Sequence, residues 1–213
     1  TIDGVNYTVK NKLSTANDLS YSKDTSTGEL TLIASNFEIR GQEDAEHNLI
    51  ISGKSNSIYG GDLADTIEEL NSNCSNNYIY GGSGNDTIIL RGGSSAYGEE
   101  GDDIFIAYSG GCYGGIGNDT ITRYGGSGVS YGGEGDDVFN IYSSNAKYFG
   151  EEGNDTFNII GSLSGIVIDG GSGTNNVTGE VGSNTTINVV GANSGVVSLV
   201  KGVEQKATIN GID

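Results

Sequence analysis

Three stretches of the sequence share one frame, Gly-Gly-x-Gly-x-Asp: Gly81-Gly82-Ser83-Gly84-Asn85-Asp86, Gly114-Gly115-Ile116-Gly117-Asn118-Asp119 and Gly132-Gly133-Glu134-Gly135-Asp136-Asp137. Glycine lets the backbone take positive φ and turn its carbonyls inward, and the acid in the sixth place adds a charged oxygen. The chemistry open to such a turn is the holding of a hard divalent cation. One turn supplies only part of a shell of about 6–8 oxygens, so an ion has to sit between a turn and the equivalent turn of the next repeat. Two variants begin at Gly98 and Gly150, with Glu99 and Glu151 in place of the second Gly, and end in Asp103 and Asp155. A degenerate copy, Gly60-Gly61-Asp62-Leu63-Ala64-Asp65, opens the series, and Gly170-Gly171-Ser172-Gly173-Thr174-Asn175 closes it without an acid. An Asp that merely caps a turn is the plainer reading, but an isolated turn needs no fixed Gly-Gly-x-Gly frame around its acid.

The first glycines of the copies stand at 60, 81, 98, 114, 132, 150 and 170, a spacing of 16 to 21 residues centred on 18. After the Asp come β-prone residues: Thr87-Ile88-Ile89, Ile104-Phe105-Ile106, Thr120-Ile121-Thr122, Val138-Phe139-Asn140 and Thr156-Phe157-Asn158. These runs are too short for helices and rich in strand formers. The second half of each period closes with another short strand just before the next Gly, as in Ala96-Tyr97, Cys112-Tyr113, Ser130-Tyr131 and Tyr148-Phe149. Strand, turn, strand, turn on this period predicts a flattened coil whose like strands stack in parallel, rising about 4.8 Å per coil. The expected fold is all-β, a right-handed parallel β-roll or β-solenoid with coils of about 18 residues and β-rich caps.

Gly-Gly-x-Gly-x-Asp-x-hydrophobic-x resembles the calcium-binding nonapeptide of the repeats-in-toxin (RTX) family. The resemblance covers roughly residues 60–175. It implies a ligand set of Asp carboxylates and glycine carbonyls: Asp65, Asp86, Asp103, Asp119, Asp137 and Asp155, with Gly82, Gly84, Gly101, Gly115, Gly117, Gly133, Gly135 and Gly153. The Glu99 and Glu151 copies depart from the pattern and are expected to bind more weakly. Family members with a true nine-residue repeat bind ions on both edges. Here the opposite edge reads Gly92-Gly93-Ser94-Ser95, Ser109-Gly110-Gly111, Gly125-Gly126-Ser127-Gly128 and Ser143-Ser144-Asn145, with no acid in the sixth place. One row of about five calcium ions is therefore expected. The resemblance further implies export in unfolded form through a type I secretion channel, and folding outside the cell on calcium.

In the resembled pattern the eighth residue points inward, which places Ile88, Phe105, Ile121, Phe139 and Phe157 in the core, opposite Ala96, Cys112, Ser130, Tyr148 and Ile168. Large residues face mostly small ones, so a thin core fills. The residue before each first Gly then points outward, a ladder of Tyr80, Tyr97, Tyr113, Tyr131 and Phe149. An exposed aromatic ladder can dock a glycan or a neighbouring protein; its commoner role is to stack on itself and shield the sheet.

The chain carries 28 acids against 10 Lys and Arg, a formal net charge of −18, with 37 Gly, 12 Tyr, 5 Phe and no Pro. Such charge repels nucleic-acid phosphates and anionic membrane surfaces, and opposes compaction unless something positive is bound. The aromatic and β-branched content argues against disorder, and no run of about 18 apolar residues offers a membrane span. The lone His47 and the scattered Arg40, Arg91 and Arg123 make no triad, acid/base dyad or zinc site. The acid pairs Asp102-Asp103 and Asp136-Asp137 read as a ligand carboxylate beside a carbonyl donor rather than as a glycosidase pair. No enzyme is expected. Cys74 and Cys112 lie about two coils apart and are expected to be unpaired.

Residues 1–59 carry strand runs at 5–9 and 30–33, the second after Ser26-Thr27-Gly28, and read as a β cap merging into calcium-free coils near 48–59. Residues 176–213, with runs at 186–190 and 196–200, read as a cap or a continuation of the solenoid. Ala207-Thr208-Ile209-Asn210-Gly211 echoes Thr1-Ile2-Asp3-Gly4, a hint of tandem repetition or end-to-end assembly. Beginning at Thr1 and without a leader, the chain reads as a module of a larger protein. The expectation is a structural or adhesive module of a secreted or cell-surface bacterial protein, such as a surface layer, filament or large adhesin. Its partners would be calcium and other copies or modules of that protein. The alternatives are an accessory module of an exported toxin or enzyme, and a carbohydrate-binding module using the Tyr ladder.

Overall fold

The computed structural model describes residues 7–12 and 19–181 and the backbone of the strands at 185–188, 197–200 and 207–210. Thr1–Gly4, and with it one half of the terminal echo, lies outside the described residues. The described chain is all-β. Two sheets of 11 strands each are built by alternate strands of one winding chain, so that a strand's sheet neighbours come from the coils before and after it. This is the parallel β-solenoid that the period predicts.

Register follows the repeat. In one sheet Ile88, Phe105, Ile121, Phe139 and Phe157 lie side by side, and in the other Ala96, Cys112, Ser130, Tyr148 and Ile168 do so. All ten are wholly buried, as strand alternation requires of one face. Where the small partner gives way to Tyr148, two large rings meet edge to face, with Phe139 at 6.1 Å. Cys74 and Cys112 are both free and buried; burial raises the Cys112 thiol to about 11, with Arg123 opposing. Outside, the rings of Tyr59, Tyr80, Tyr97, Tyr113, Tyr131 and Phe149 stack at 4.7–5.2 Å with interplanar angles of 8–14°. Arg40 lies over the first ring at 3.7 Å. A second stack, Tyr108, Tyr124 and Tyr142, runs along the other sheet.

Two details differ from the sequence reading. The strands that end each period do not stop at the first glycine but run on through the pair, as in Gly93–Glu100, Val129–Glu134 and Lys147–Glu152, because the stacked Gly pairs still bond coil to coil. Parallel coiling also begins earlier, with Leu30–Ile33 beside Asn48–Ser52 and Phe37–Arg40 beside Ser57–Gly61. Buried Leu30, Leu32, Phe37 and Ile39 already supply the inward face there. Before them, Thr8–Asn11 and Ser20–Lys23 join the two sheets antiparallel, a reversal that covers the first edge of each. At the far end the strands Thr185–Asn188, Val197–Val200 and Ala207–Asn210 continue the parallel order.

The turn glycines are demanded by stacking as well as by dihedral. Gly117 has φ +137°, and a Cβ there would collide with Gly101 O of the preceding coil. Gly93 has open space around it and an ordinary φ. Gly117→Ala is therefore expected to lower the thermal midpoint of the folded protein by about 5–15 °C, and Gly93→Ala by no more than ~2 °C. Equal shifts for the two would mean that coil spacing does not depend on the glycines.

Candidate metal centre

One edge of the solenoid joins the end of each glycine-bearing strand to the next coil's Thr87–Leu90 type strand, and the sixth-place residues line up along it. The backbone N–H of each donates to the side-chain oxygen of its successor. Asp65 N donates to Asp86 Oδ1 at 2.7 Å, Asp86 N to Asp103 Oδ1 at 2.7 Å and Asp103 N to Asp119 Oδ1 at 2.8 Å. Asp119 N then donates to Asp137 Oδ1 at 2.7 Å and Asp137 N to Asp155 Oδ1 at 3.0 Å. All six sequence-predicted acids are thus brought into one buried file.

This ladder uses only half of each carboxylate. The Oδ2 atoms of Asp65, Asp86, Asp103, Asp119, Asp137 and Asp155 are buried and have no hydrogen-bond partner. Each lies close to a carbonyl of the following coil: an ideal Cβ on Gly114 would meet both Asp119 Oδ2 and Gly132 O, and the same pairing recurs at Gly60, Gly81, Gly98, Gly132 and Gly150. The first glycine of each frame therefore clears the space in which these oxygens converge, a role absent from the sequence-predicted set. It was visible in the sequence, because that glycine survives in every copy, including those with Glu99 and Glu151.

The predicted second and fourth glycines lie in the gaps between turns. Gly84 O abuts Gly101, Gly101 O abuts Gly117, Gly117 O abuts Gly135, Gly135 O abuts Gly153, Gly153 O abuts Gly173 and Gly115 O abuts Gly133. Gly82 and Gly133 stand in register with Glu99 and Glu151. These two glutamates keep the left-handed backbone, φ +81° and +79°, at roughly 1–2 kcal/mol each. Their copies hold Asp103 and Asp155 in the same file as the rest.

Leaving these oxygens unmatched has an electrostatic consequence. Burial above all, with help from neighbouring acids and against the donated N–H, raises the carboxyls of Asp65, Asp103 and Asp155 to about 6, Asp86 and Asp119 to about 7 and Asp137 to about 8. The file calls for positive charge, as a proton or as a cation.

Both ends of the file are closed by nitrogen. His47 N donates to Asp65 Oδ1 at 2.6 Å, and the His47 ring occupies beside Gly41 the place that Oδ2 takes in later coils. Its Nε2 lies 2.9 Å from Gln42 N and 3.0 Å from Gln42 O. At the other end Asn175 Oδ1 accepts from Asp155 N at 2.8 Å, and Asn175 Nδ2 stands beside Gly170 where an acid would place Oδ2. The histidine that offers no site by itself is thus the first member of the row.

Asp102 and Asp136 have a different task from their neighbours. Their exposed side chains alternate with Asn85, Asn118 and Asn154 in an outer ladder of opposite direction. Asp102 N donates to Asn85 Oδ1 at 3.0 Å, Asn118 N to Asp102 Oδ1 at 2.7 Å, Asp136 N to Asn118 Oδ1 at 2.9 Å and Asn154 N to Asp136 Oδ1 at 2.8 Å. Asn118 and Asn154 add amide bonds to the same carboxylates. Alternation keeps like charges from stacking directly.

Among the described residues no three His, Cys, Asp or Glu side chains converge on one point. An ion held between these turns would take most of its ligands from backbone carbonyls, with one or two carboxylates. Between those nitrogen-bearing ends the side-chain donors are carboxylate oxygens whose Oδ2 atoms have no partner, which suits calcium in charge and hardness. No family model, no curated protein and no solved structure matches this chain.

Proposed function

We propose that this chain is a calcium-binding structural module of a secreted or cell-surface protein, with one row of ions along the aspartate edge. The observation that carries this reading is the file of six buried aspartate Oδ2 atoms without a partner, since a buried charge without compensation is too costly to keep. Calcium would supply the compensating charge and tie adjacent coils together. The aspartates would hold it through Oδ2 and the turn glycines through their carbonyls, while Oδ1 keeps the coils in register. The RTX-like frame points the same way, and adds folding after type I export as the working route. Two continuous 11-stranded sheets suit a role in a surface layer, filament or adhesin; an accessory module of an exported toxin or enzyme would use the same residues. The glycan reading has less support, because a sugar packs against the face of an aromatic ring, and the stacked Tyr rings cover one another's faces.

Calorimetry tests the site directly. Six aspartates leave five gaps, so about five calcium ions should bind, with magnesium competing poorly because it resists dehydration. Asp119→Asn should remove one or two ions from the count, and Asn175→Asp should add about one. A wild-type protein that takes up no calcium, or a count indifferent to both substitutions, would refute the proposal.

A further inference from the structure

The opposite edge has no aspartate file, yet two wholly buried charges stand beside it: Glu69 and Arg123. Both lie in the inward column otherwise filled by Ile51, Leu90, Ala107, Ile141 and Ile159. Glu69 is answered by donors, the backbone N–H of Arg91 at 3.1 Å and of Gly92 at 2.8 Å, Asn77 Nδ2 at 3.0 Å and the Ser94 hydroxyl.

Arg123 has no acid. Among the described residues the ion pairs are Arg40 with Glu38 and Arg91 with Glu68. Its guanidinium instead meets backbone carbonyls: Nη2 donates to Gly110 O at 3.1 Å and Val129 O at 3.3 Å, and Nη1 to Gly125 O at 3.4 Å. Nη2 and Nε also donate to Ser130 Oγ, at 3.0 and 3.3 Å. Gly110 belongs to the turn of the preceding coil, before Gly111–Ile116; Gly125 belongs to the turn that follows Thr120–Arg123, and Val129 opens the strand after that turn, Val129–Glu134. The group therefore spans two coils, as an inter-coil ion would. Gly128 makes room for it: a Cβ there would meet Gly110 O and Arg123 Nη1, and Gly128 is not among the positive-φ glycines. Space, not dihedral freedom, requires glycine at that position.

We propose that these carbonyls form a cation site for a guanidinium group, which the chain fills with its own Arg123. The edge without an aspartate file is tied across the coils of Gly110 and Gly125 by a covalently attached cation, and this tie does not depend on calcium. Lysine would serve poorly, because a compact ammonium lacks the planar fork that reaches both coils at once.

The test is chemical rescue. In saturating calcium, Arg123→Ala should lower the thermal midpoint by about 10 °C. Methylguanidinium at tens of millimolar should restore at least half of that loss, while sodium chloride and methylammonium at equal ionic strength should not. A rescue no larger than the effect of the same salt on the wild type would overturn the proposal, as would full stability of Arg123→Met. Should Arg123→Ala fail to fold, the wild type decides by NMR. One of the three arginine Nε–H groups should be protected from solvent exchange far beyond the other two, and three equally fast arginines would sink the idea.

Discussion

In metal-depleted buffer at neutral pH the chain is expected to give the circular dichroism of an expanded polypeptide, and to gain its β signal cooperatively as calcium is added. The argument is one of magnitude. Six carboxylates are buried in file with one oxygen each unmatched, within a chain of net charge −18. A domain is stable by only about 5–15 kcal/mol. An ion bound at 10 mM calcium with a dissociation constant of ~0.1–1 mM contributes about 1.5–3 kcal/mol. About five such ions contribute roughly 7–14 kcal/mol, the whole of that margin. Removing them should therefore unfold the repeat instead of loosening it. Ellipticity and hydrodynamic radius followed through a calcium titration would check this. A compact, β-rich chain with an unchanged melting point in calcium-free buffer would show that the turns need no ion.

The second large effect is an inversion of pH dependence. In the metal-free folded state the six carboxyls stand at about 6 to 8, against about 4 in the unfolded chain. Between those values the folded state binds more protons, so stability falls as pH rises. The contribution is fully present below pH ~4 and is lost through the window from about 6 to 8. The metal-depleted protein should thus hold more β structure at pH 5 than at pH 8. Calcium must displace the same protons, so its affinity should rise across that window and its binding should release protons. Ellipticity of resin-depleted protein from pH 5 to 8, and calcium titrations with proton release followed across the same window, measure both arms. Metal-free stability that stays flat or increases from pH 5 to 8 would contradict the buried file.

Periodicity made much of this legible. The sixth-place acids, the inward Phe and Ile and the outer Tyr ladder all followed from one frame, because each is a fixed offset from a glycine that the turn requires. What escaped lies where the frame is lost. His47 sits in the same file as the aspartates, but Gly41-Gln42-Glu43-Asp44-Ala45-Glu46 shows no second or fourth glycine to mark it. Glu69 and Arg123 escaped for another reason. A charge in an inward column looks like an error in register until the backbone groups that satisfy it are known, and those groups belong to other coils. In Arg123 the clue was the column itself, since the same offset in the neighbouring coils is Ala107 and Ile141.

The alternation of Asn85, Asp102, Asn118, Asp136 and Asn154 gives the repeat a parity. Loss of the single coil that holds Asn118 would set Asp102 directly beneath Asp136, two carboxylates one strand spacing apart, about 4.8 Å. Loss or duplication of two coils together leaves the sequence of partners intact. Loss of a coil that holds Asp102 or Asp136 instead brings Asn beside Asn, the kind of pair that Asn158 and Asn140 already make between adjacent coils. The outer edge thus admits single-coil losses that remove an aspartate and resists those that bring two together.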